Sequence, residues 1–157
     1  MKIKALSVYS KILSFFMVLL GFSSCDNGAA EYGTPYAKFI VKGKVVDKED
    51  NAVSGLKVAL GRAGDIGDGI KRTYYIDSIN TDKNGAFKLS VEEFPTSQKF
   101  VIKYEDIDKE ENGLFGTVTD TVQFADPSFT NGSNSWYAGE TVEDLGAVIL
   151  EPEKDEE

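Results

Sequence analysis

The chain has 157 residues, enough for one ordinary domain, and its 17 basic and 26 acidic residues give a formal charge of −9. So acidic a protein repels a phosphate backbone, which argues against nucleic acid as a partner. There is no histidine and only one cysteine, which excludes a Cys–His or Ser–His–Asp mechanism, an internal disulfide and a thiolate metal cluster.

The first 24 residues have the three parts of a signal peptide. Three lysines lie within the first 11 residues, an apolar run follows over 12–22 (ILSFFMVLLGF), and two small serines close the segment. The apolar run is about half of the ~20 residues that a membrane-spanning helix needs, so cleavage is favoured over a retained anchor. Removing the three lysines from the 17 basic residues leaves 14 against 26 acidic ones, a formal charge of −12.

Cys25 follows this segment directly. The sequence FSSC resembles the lipobox of bacterial lipoproteins, in which the cysteine thiol is joined to a diacylglycerol and the new N-terminus is commonly acylated. Several acyl chains hold a protein stably on a bilayer, whereas a single chain does so only marginally. We therefore expect Cys25 to anchor the protein by lipid in the cell envelope, at the outer membrane. Whether the domain faces the periplasm or the exterior is left open, and the alternative is an incidental thiol after a secretory signal.

The rest of the chain divides into three further regions. Residues 25–36 are rich in Asp, Asn, Gly, Ala and Pro without any periodicity, which is typical of a tether. Residues 37–150 carry the predicted domain. Residues 151–157 (EPEKDEE) form an acidic tail with nothing to bury.

Apolar and polar residues alternate within 37–150, which is the period of a strand with one buried face. Phe39, Val41 and Val45, for example, alternate with lysines. The segment RTYYIDSINT lacks a clean inward face, and its β-branched and aromatic residues predict a strand by composition. Strands are expected near 39–45, 56–60, 72–81, 87–91, 100–104, 114–124 and 145–150.

The connections between these segments contain Asn and Gly, which adopt positive φ where a chain reverses. Asp50-Asn51, Asn84-Gly85, Asn112-Gly113 and Asn131-Gly132 are the clearest cases. About seven short strands, with no amphipathic stretch of helical length, predict an all-β fold. Because a sheet with one wet face needs a second sheet over its apolar side, we expect a single antiparallel β-sandwich.

The stretch VKGKVVDKEDNAVSGLKVAL, followed by TDKNGAFKLSV, resembles carboxypeptidase-regulatory-like or transthyretin-like domains. The later part matches that family's T-D-x-x-G-x-F hairpin. In physical terms Asp82 caps a turn, Gly85 takes the left-handed position and Phe87 re-enters the core. The resemblance implies a transthyretin-like sandwich, and it implies no single function because such domains serve as adhesion, spacer and binding modules.

The chain as a whole resembles the lipoproteins of the radical SAM/lipoprotein system found in Bacteroidetes. The likeness is carried by the lipobox cysteine, the sequence EYGTPYAKFIVKGKV close behind it, the segment DIDKEENG, the late SWYAGE and the total length. In that family the lipoprotein gene lies beside that of a radical SAM enzyme, which implies a functional link. Only the lipid attachment at Cys25 is carried over to this chain.

One candidate metal site lies in DIDKEENG, where Asp106, Asp108 and Asn112 offer oxygen ligands like those that open a calcium loop. An EF-hand loop beginning at Asp106 would need Gly in the sixth place and Glu in the twelfth, where this chain has Glu111 and Thr117. A solvated hairpin connection is the favoured interpretation. A calcium site of another kind is the alternative.

Two short Asp–hydroxyl–aliphatic sequences, Asp77-Ser78-Ile79 and Asp120-Thr121-Val122, resemble the O-glycosylation signal of Bacteroidetes. They make Ser78 and Thr121 candidate glycan sites, which would have to face outward. Trp136 and Tyr137 stand in a polar segment. We expect their rings to cap one end of the sandwich, with a stacking platform for a sugar or peptide as the alternative.

Together these patterns predict a non-catalytic, lipid-anchored envelope protein that is associated with a radical SAM enzyme encoded nearby and uses no cofactor. One alternative is that the chain is the substrate which that enzyme modifies. Another is a carbohydrate- or peptide-binding surface module of unknown ligand. A carboxylate-based enzyme such as a glycosidase would need two acids held about 5–10 Å apart, and no motif pairs two acids.

Overall fold

The computed structural model describes residues 11, 13–16, 33–65, 71–107, 114–133 and 135–152. The chain divides into two units, residues 1–33 and 34–157. In the first unit the described residues 11 and 13–16 are helical. None of the described residues belongs to a helix that is long and apolar enough to cross a bilayer.

The described part of the second unit contains seven strands and confirms the predicted all-β fold. In chain order they are β1 (Tyr36–Val46), β2 (Lys57–Asp65), β3 (Lys71–Asn80), β4 (Ala86–Glu93), β5 (Gln98–Glu105), β6 (Val118–Phe124) and β7 (Tyr137–Ile149). Each predicted strand segment overlaps one of them. The largest difference is β7, which begins eight residues before the predicted 145–150.

The strands form the two sheets of a β-sandwich, one with the order β4-β1-β7 and the other with the order β3-β2-β5-β6. Each neighbouring pair is antiparallel except β1 and β7, which are parallel. The predicted antiparallel β-sandwich is therefore confirmed, with β1 and β7 as a parallel pair within it. The chain leaves β6 and crosses to the other sheet at the end where β1 begins, so β7 has to run in the same direction as β1.

β1 is the central strand of its sheet, and its alternation matches the predicted buried face. Phe39, Val41 and Val45 point toward the other sheet, and each has 0% of its surface exposed. On the opposite face, Ile40 is also buried between its neighbours, Ser90 of β4 and Val142 of β7. Because β1 is paired on both edges, its middle is shielded from solvent on both faces.

Aromatic rings fill the space between the sheets around Phe39. Its ring centroid lies 5.7 Å from that of Phe100, 5.1 Å from that of Phe124 and 5.6 Å from that of Phe129. Such edge and tilted contacts are the favourable geometry for aromatic pairs. They join the first strand of the domain to β5, to β6 and to the connection that follows β6.

β3 differs from the other strands because it contributes nothing to the core. It is an edge strand, and Tyr74, Tyr75, Ile76 and Ile79 are about half exposed, at 53, 45, 52 and 45%. This explains why its sequence shows no clean inward face: β3 is paired on one edge, with β2, and none of its described side chains is fully buried.

The turn between β3 and β4 has the predicted local structure. The Asp82 carboxylate accepts hydrogen bonds from the amides of Asn84 and Ala86 at 2.8 and 2.9 Å. Gly85 has φ 73°, and a Cβ there would lie 2.3 Å from the carbonyl oxygen of Val45, so this position requires glycine. Because β3 and β4 belong to different sheets, the predicted hairpin is in fact a crossover between the layers.

Thr81 ties this crossover to the connection between β1 and β2. Its buried hydroxyl donates to the carbonyl of Val53 at 2.8 Å and accepts from the amide of Leu56 at 3.0 Å. Both groups lie in a segment without strand pairing of its own. A single side chain thus satisfies backbone groups that would otherwise be buried without partners.

We predict that Phe39→Ala lowers the free energy of unfolding by about 3–5 kcal/mol, because it removes a ring that is completely enclosed by other rings. Urea unfolding of the mature chain measures the loss. The matched control is Phe94→Ala, since Phe94 is 55% exposed and its removal is expected to cost no more than about 0.5 kcal/mol. Equal losses for the two variants would contradict the assigned core.

Candidate functional site

Cys25, the predicted lipid attachment site, lies outside the described residues, so the lipid stays a prediction from the sequence. The structure does describe where the chain behind it enters the fold. β1 begins at Tyr36, 11 residues after the cysteine. The predicted tether therefore leads directly into the central strand of a sheet.

An aromatic surface surrounds the point where β1 begins, and we call Tyr36, Phe94, Trp136 and Tyr137 the entry patch. The Tyr36 and Tyr137 rings stack with centroids 5.2 Å apart, and the Tyr36 amide donates to the Trp136 carbonyl at 2.9 Å. Phe94 directly follows Glu93, which pairs with Ala37 at the start of β1. Tyr36 is 39% exposed and Phe94 is 55% exposed.

The two late aromatic residues were expected in a loop that caps one end of the sandwich. Trp136 is in a turn, whereas Tyr137 is the first residue of β7, and both are partly buried at this end. Burial raises the pKa of the Tyr137 phenol, and the nearby Glu140 acts in the same direction. The Trp136 Nε1 atom is buried and has no hydrogen-bond partner among the described residues.

A polar network that the sequence did not reveal holds the connection carrying Phe94. The Arg62 guanidinium contacts the Glu93 carboxylate at 2.5 Å and the Gln98 amide oxygen at 3.1 Å. Gln98 in turn donates to the carbonyl of Phe94 at 3.1 Å and to the hydroxyl of Thr96 at 3.2 Å. The network joins β2 in one sheet to the end of β4 in the other. Its central pair, Arg62 and Glu93, is 31 residues apart in sequence.

Only Asp106 of the three candidate calcium ligands is described; Asp108 and Asn112 lie outside the described residues. Asp106 follows β5, and its carboxylate accepts a hydrogen bond from the amide of Phe115, just before β6, at 3.0 Å. β5 and β6 are antiparallel neighbours, so this bond closes the base of their connection. In the described part of the chain no three acidic, histidine or cysteine side chains gather as a metal site would require.

The two candidate glycan sites lie on the same face of the four-stranded sheet. Ser78 on β3 pairs with Ala59, Thr121 on β6 pairs with Val101, and both hydroxyl residues are exposed. The outermost strands of this sheet are three strand spacings apart, roughly 14 Å. The structure thus places both residues where a glycan has room, and glycosylation itself stays a prediction.

The aspartates in these two short sequences have local partners. The Asp77 carboxylate accepts from the amide of Ser90 on β4 at 3.0 Å, and the Asp120 carboxylate accepts from the amide of Thr121 at 2.7 Å. Asp77 therefore links the edge strand β3 to the edge strand of the other sheet, and this role alone accounts for an acid at that position.

A groove of about 450 Å³ lies beside β6 and β7, on the opposite side of the sandwich from β3 and β4. Three acidic side chains line it, Asp126, Glu140 and Glu143, and Glu140 also accepts a hydrogen bond from the side-chain amide of Asn131 at 3.1 Å. No sequence pattern predicts this groove, because its walls come from segments that are distant along the chain.

The sequence matches no protein-family model, and no curated protein matches it. Among solved structures the chain is similar to a streptococcal ancillary pilin at 15% identity and a TM-score of 0.41, over 73% of this chain and 32% of the pilin. It is also similar to chlorocatechol 1,2-dioxygenase from Pseudomonas putida, at 14% identity and a TM-score of 0.44 over 76% and 68% of the two chains. The chain is similar as well to the plantain pollen allergen Pla l 1, at 18% identity and a TM-score of 0.40, over 76% of this chain and 98% of the allergen. The chain thus spans about a third of the pilin, and similarities at this level carry no inference about activity.

We predict that Asp106→Ala lowers the free energy of unfolding by about 1 kcal/mol, because the amide of Phe115 loses its acceptor. Thermal and urea unfolding in the absence of calcium measure the loss. Asp126→Ala, which removes an exposed carboxylate, is the matched control and should lie within about 0.5 kcal/mol of the wild type. A calcium-dependent rise in Tm that Asp106→Ala abolishes would show instead that Asp106 is a metal ligand.

Proposed function

We propose that this protein is a non-catalytic component of the cell envelope, anchored to the membrane by lipid on Cys25 and presenting a β-sandwich. One observation carries the proposal. The only cysteine of the chain stands directly behind a basic, apolar and small-residue segment, and 11 residues before the first strand. Lipid attachment would require a thiol at this junction.

The way the chain enters the fold supports an anchoring role. An extended chain spans at most about 3.6 Å per residue, so the sandwich would stay within roughly 40 Å of its lipid. The tether leads into β1, which is hydrogen-bonded to β4 on one side and to β7 on the other. Two ladders of backbone hydrogen bonds would therefore resist a force that acts on the chain through the lipid.

The proposed partner is a radical SAM enzyme encoded nearby, and the support is the sequence resemblance that runs from the lipobox to SWYAGE. Within this proposal the protein acts as a scaffold that the enzyme's system places in the envelope. The alternative is that the chain is the substrate which the enzyme modifies. The two differ in one property, because only a modified substrate carries mass beyond its residues, its lipid and any glycan on Ser78 or Thr121.

A second candidate function, binding of a peptide or carbohydrate at the surface, is favoured by the edge strand β3. Tyr74, Tyr75 and Ile76 are about half exposed there, and residues 75–78 line a groove of about 290 Å³. An edge strand offers unpaired backbone groups to an extended peptide, and exposed aromatic rings stack on sugars. This binding role would add to the anchor and would not replace it.

We predict that Cys25→Ser abolishes labelling of the protein by palmitate and moves it from the membrane fraction to the soluble fraction, because serine offers no thiol to the lipid. Metabolic labelling and fractionation of the native host measure both effects. Ser24→Ala, which keeps a small residue before the cysteine, is the control and should behave as the wild type. Unchanged labelling and membrane retention in Cys25→Ser would refute the anchor.

A further inference from the structure

The two ends of the sandwich differ in charge. β1 and β7 both end at the side of the sandwich away from the entry patch, which we call the far end. β2, β4 and β6 begin at this far end. The described connections at this far end carry two lysines, Lys48 and Lys83, and six acids: Asp47, Glu49, Asp50, Asp82, Asp106 and Glu151. At the entry end, the described connections carry one acid, Asp126, and no basic residue.

Asp47, one acid of the far end, is held in its ionised form by the turn in which it lies. The side-chain amide of Asn51, together with the backbone amides of Asn51 and Glu49, lowers the pKa of Asp47 below its usual range. At neutral pH the described connections of this end carry six negative and two positive charges, a net charge of −4. This end would be repelled by the anionic surface of a phospholipid bilayer.

The entry patch is aromatic, and the acids beside it have basic neighbours: Glu93 pairs with Arg62, and Lys38 lies between Glu92 and Glu140 in the strand register. All four side chains of the patch have an apolar body, and three of them, the two tyrosines and the tryptophan, also have a polar tip. Such side chains concentrate at the boundary between lipid and water. Tyr36 and Phe94 keep 39 and 55% of their surface exposed, although they would gain from burial against an apolar partner.

The point where the chain from Cys25 enters the fold favours the bilayer as the partner of the patch. The tether ends at Tyr36, inside the patch, so this end of the sandwich is the one that lipid on Cys25 would bring to the bilayer. The far end lies about 35 Å further away, the length of the 11 residues of β1. A tether that can reach roughly 40 Å leaves the patch free to touch the surface that holds the lipid.

The patch is also rigid before any contact is made. The Tyr36 ring is stacked on Tyr137, and its amide is bonded to the carbonyl of Trp136. The carbonyl of Phe94 is held by Gln98, which is bound in turn to Arg62. Binding would therefore cost little ordering of the protein.

From these observations we propose that the entry patch docks in the headgroup region of the phospholipid bilayer, so that the sandwich stands on the membrane with its acidic end outward. This inference rests on the proposed lipid anchor, and it adds an orientation to it. The edge strand β3 and the groove beside β7 would then run along the sides of the standing domain, accessible to other envelope proteins.

The only tryptophan of the chain, Trp136, provides the test because it belongs to the patch. The mature chain from Cys25 onward is purified with its lipid and reconstituted into vesicles of phosphatidylethanolamine and phosphatidylglycerol. In a second preparation the same chain, made without lipid and with an N-terminal hexahistidine tag, is held on such vesicles by nickel-chelating lipid. Both are measured with and without phospholipid brominated near the carbonyl end of its acyl chains.

Docking predicts that brominated lipid quenches the Trp136 emission in both preparations, with a shift of the emission to shorter wavelength on membrane binding. The double variant Tyr36→Ser, Phe94→Ser should lose most of the quenching. Ile149→Ser should keep it, because Ile149 is 64% exposed at the opposite end. Circular dichroism melts of the variants confirm that they fold.

Protein that sediments with the vesicles while its Trp136 emission stays unquenched would overturn the docking, and would favour a protein partner for the patch. The two preparations separate this failure from failure of the anchor. If the native protein carries no lipid and does not sediment, the anchor is wrong, and the nickel-held chain still decides whether the patch docks.

Discussion

The structure depends on a single strand, β1, which is paired on both edges and covered on its inner face. β4 and β7 complete its ladders, and Phe39 inserts among the aromatic rings of the opposing strands. Its burial forces the remaining strands into two layers, because the apolar face of a three-stranded sheet has to be covered by a second sheet. It also forces the last strand to run parallel to it, since the free edge of β1 is reached from the end where β6 finishes.

The proposed orientation follows from the different side chains at the two ends of this strand. The predicted tether leads to the start of β1, among exposed aromatic side chains, whereas the acidic connections are collected at the other end. Aromatic rings suit the boundary between lipid and water, and carboxylates suit water. The proposed lipid, the central strand and the acidic connections therefore agree on one orientation, with the domain held by its best-protected strand.

The local parts of this account were predictable from the sequence. Alternation in β1, β4 and β5 predicted the face of each that points to the core, although Ile40 and Val101 on the opposite faces are buried as well. The Asp82–Gly85 turn followed from residues only three positions apart. The parallel pairing of β7, the crossover that replaces the expected hairpin and the Arg62 network all depend on strands that are distant in sequence, where no short pattern carries a signal. Of the predicted site residues, Ser78 and Thr121 share one sheet face by the register of four strands, which alternation alone does not provide. The anchor at Cys25 rests on its sequence context.

Intact-mass spectrometry of the protein purified from its native membranes decides whether the mature chain begins at a lipid-bearing Cys25. We expect the mass of residues 25–157 plus a diacylglyceryl group and an N-terminal acyl chain, with both groups on the first residue after proteolysis, and any further mass confined to glycan on Ser78 or Thr121. A chain that keeps residues 1–24, one that begins at another residue, or one whose Cys25 thiol is free would contradict the anchor. Additional mass elsewhere in the sandwich would instead favour the chain as an enzyme's substrate.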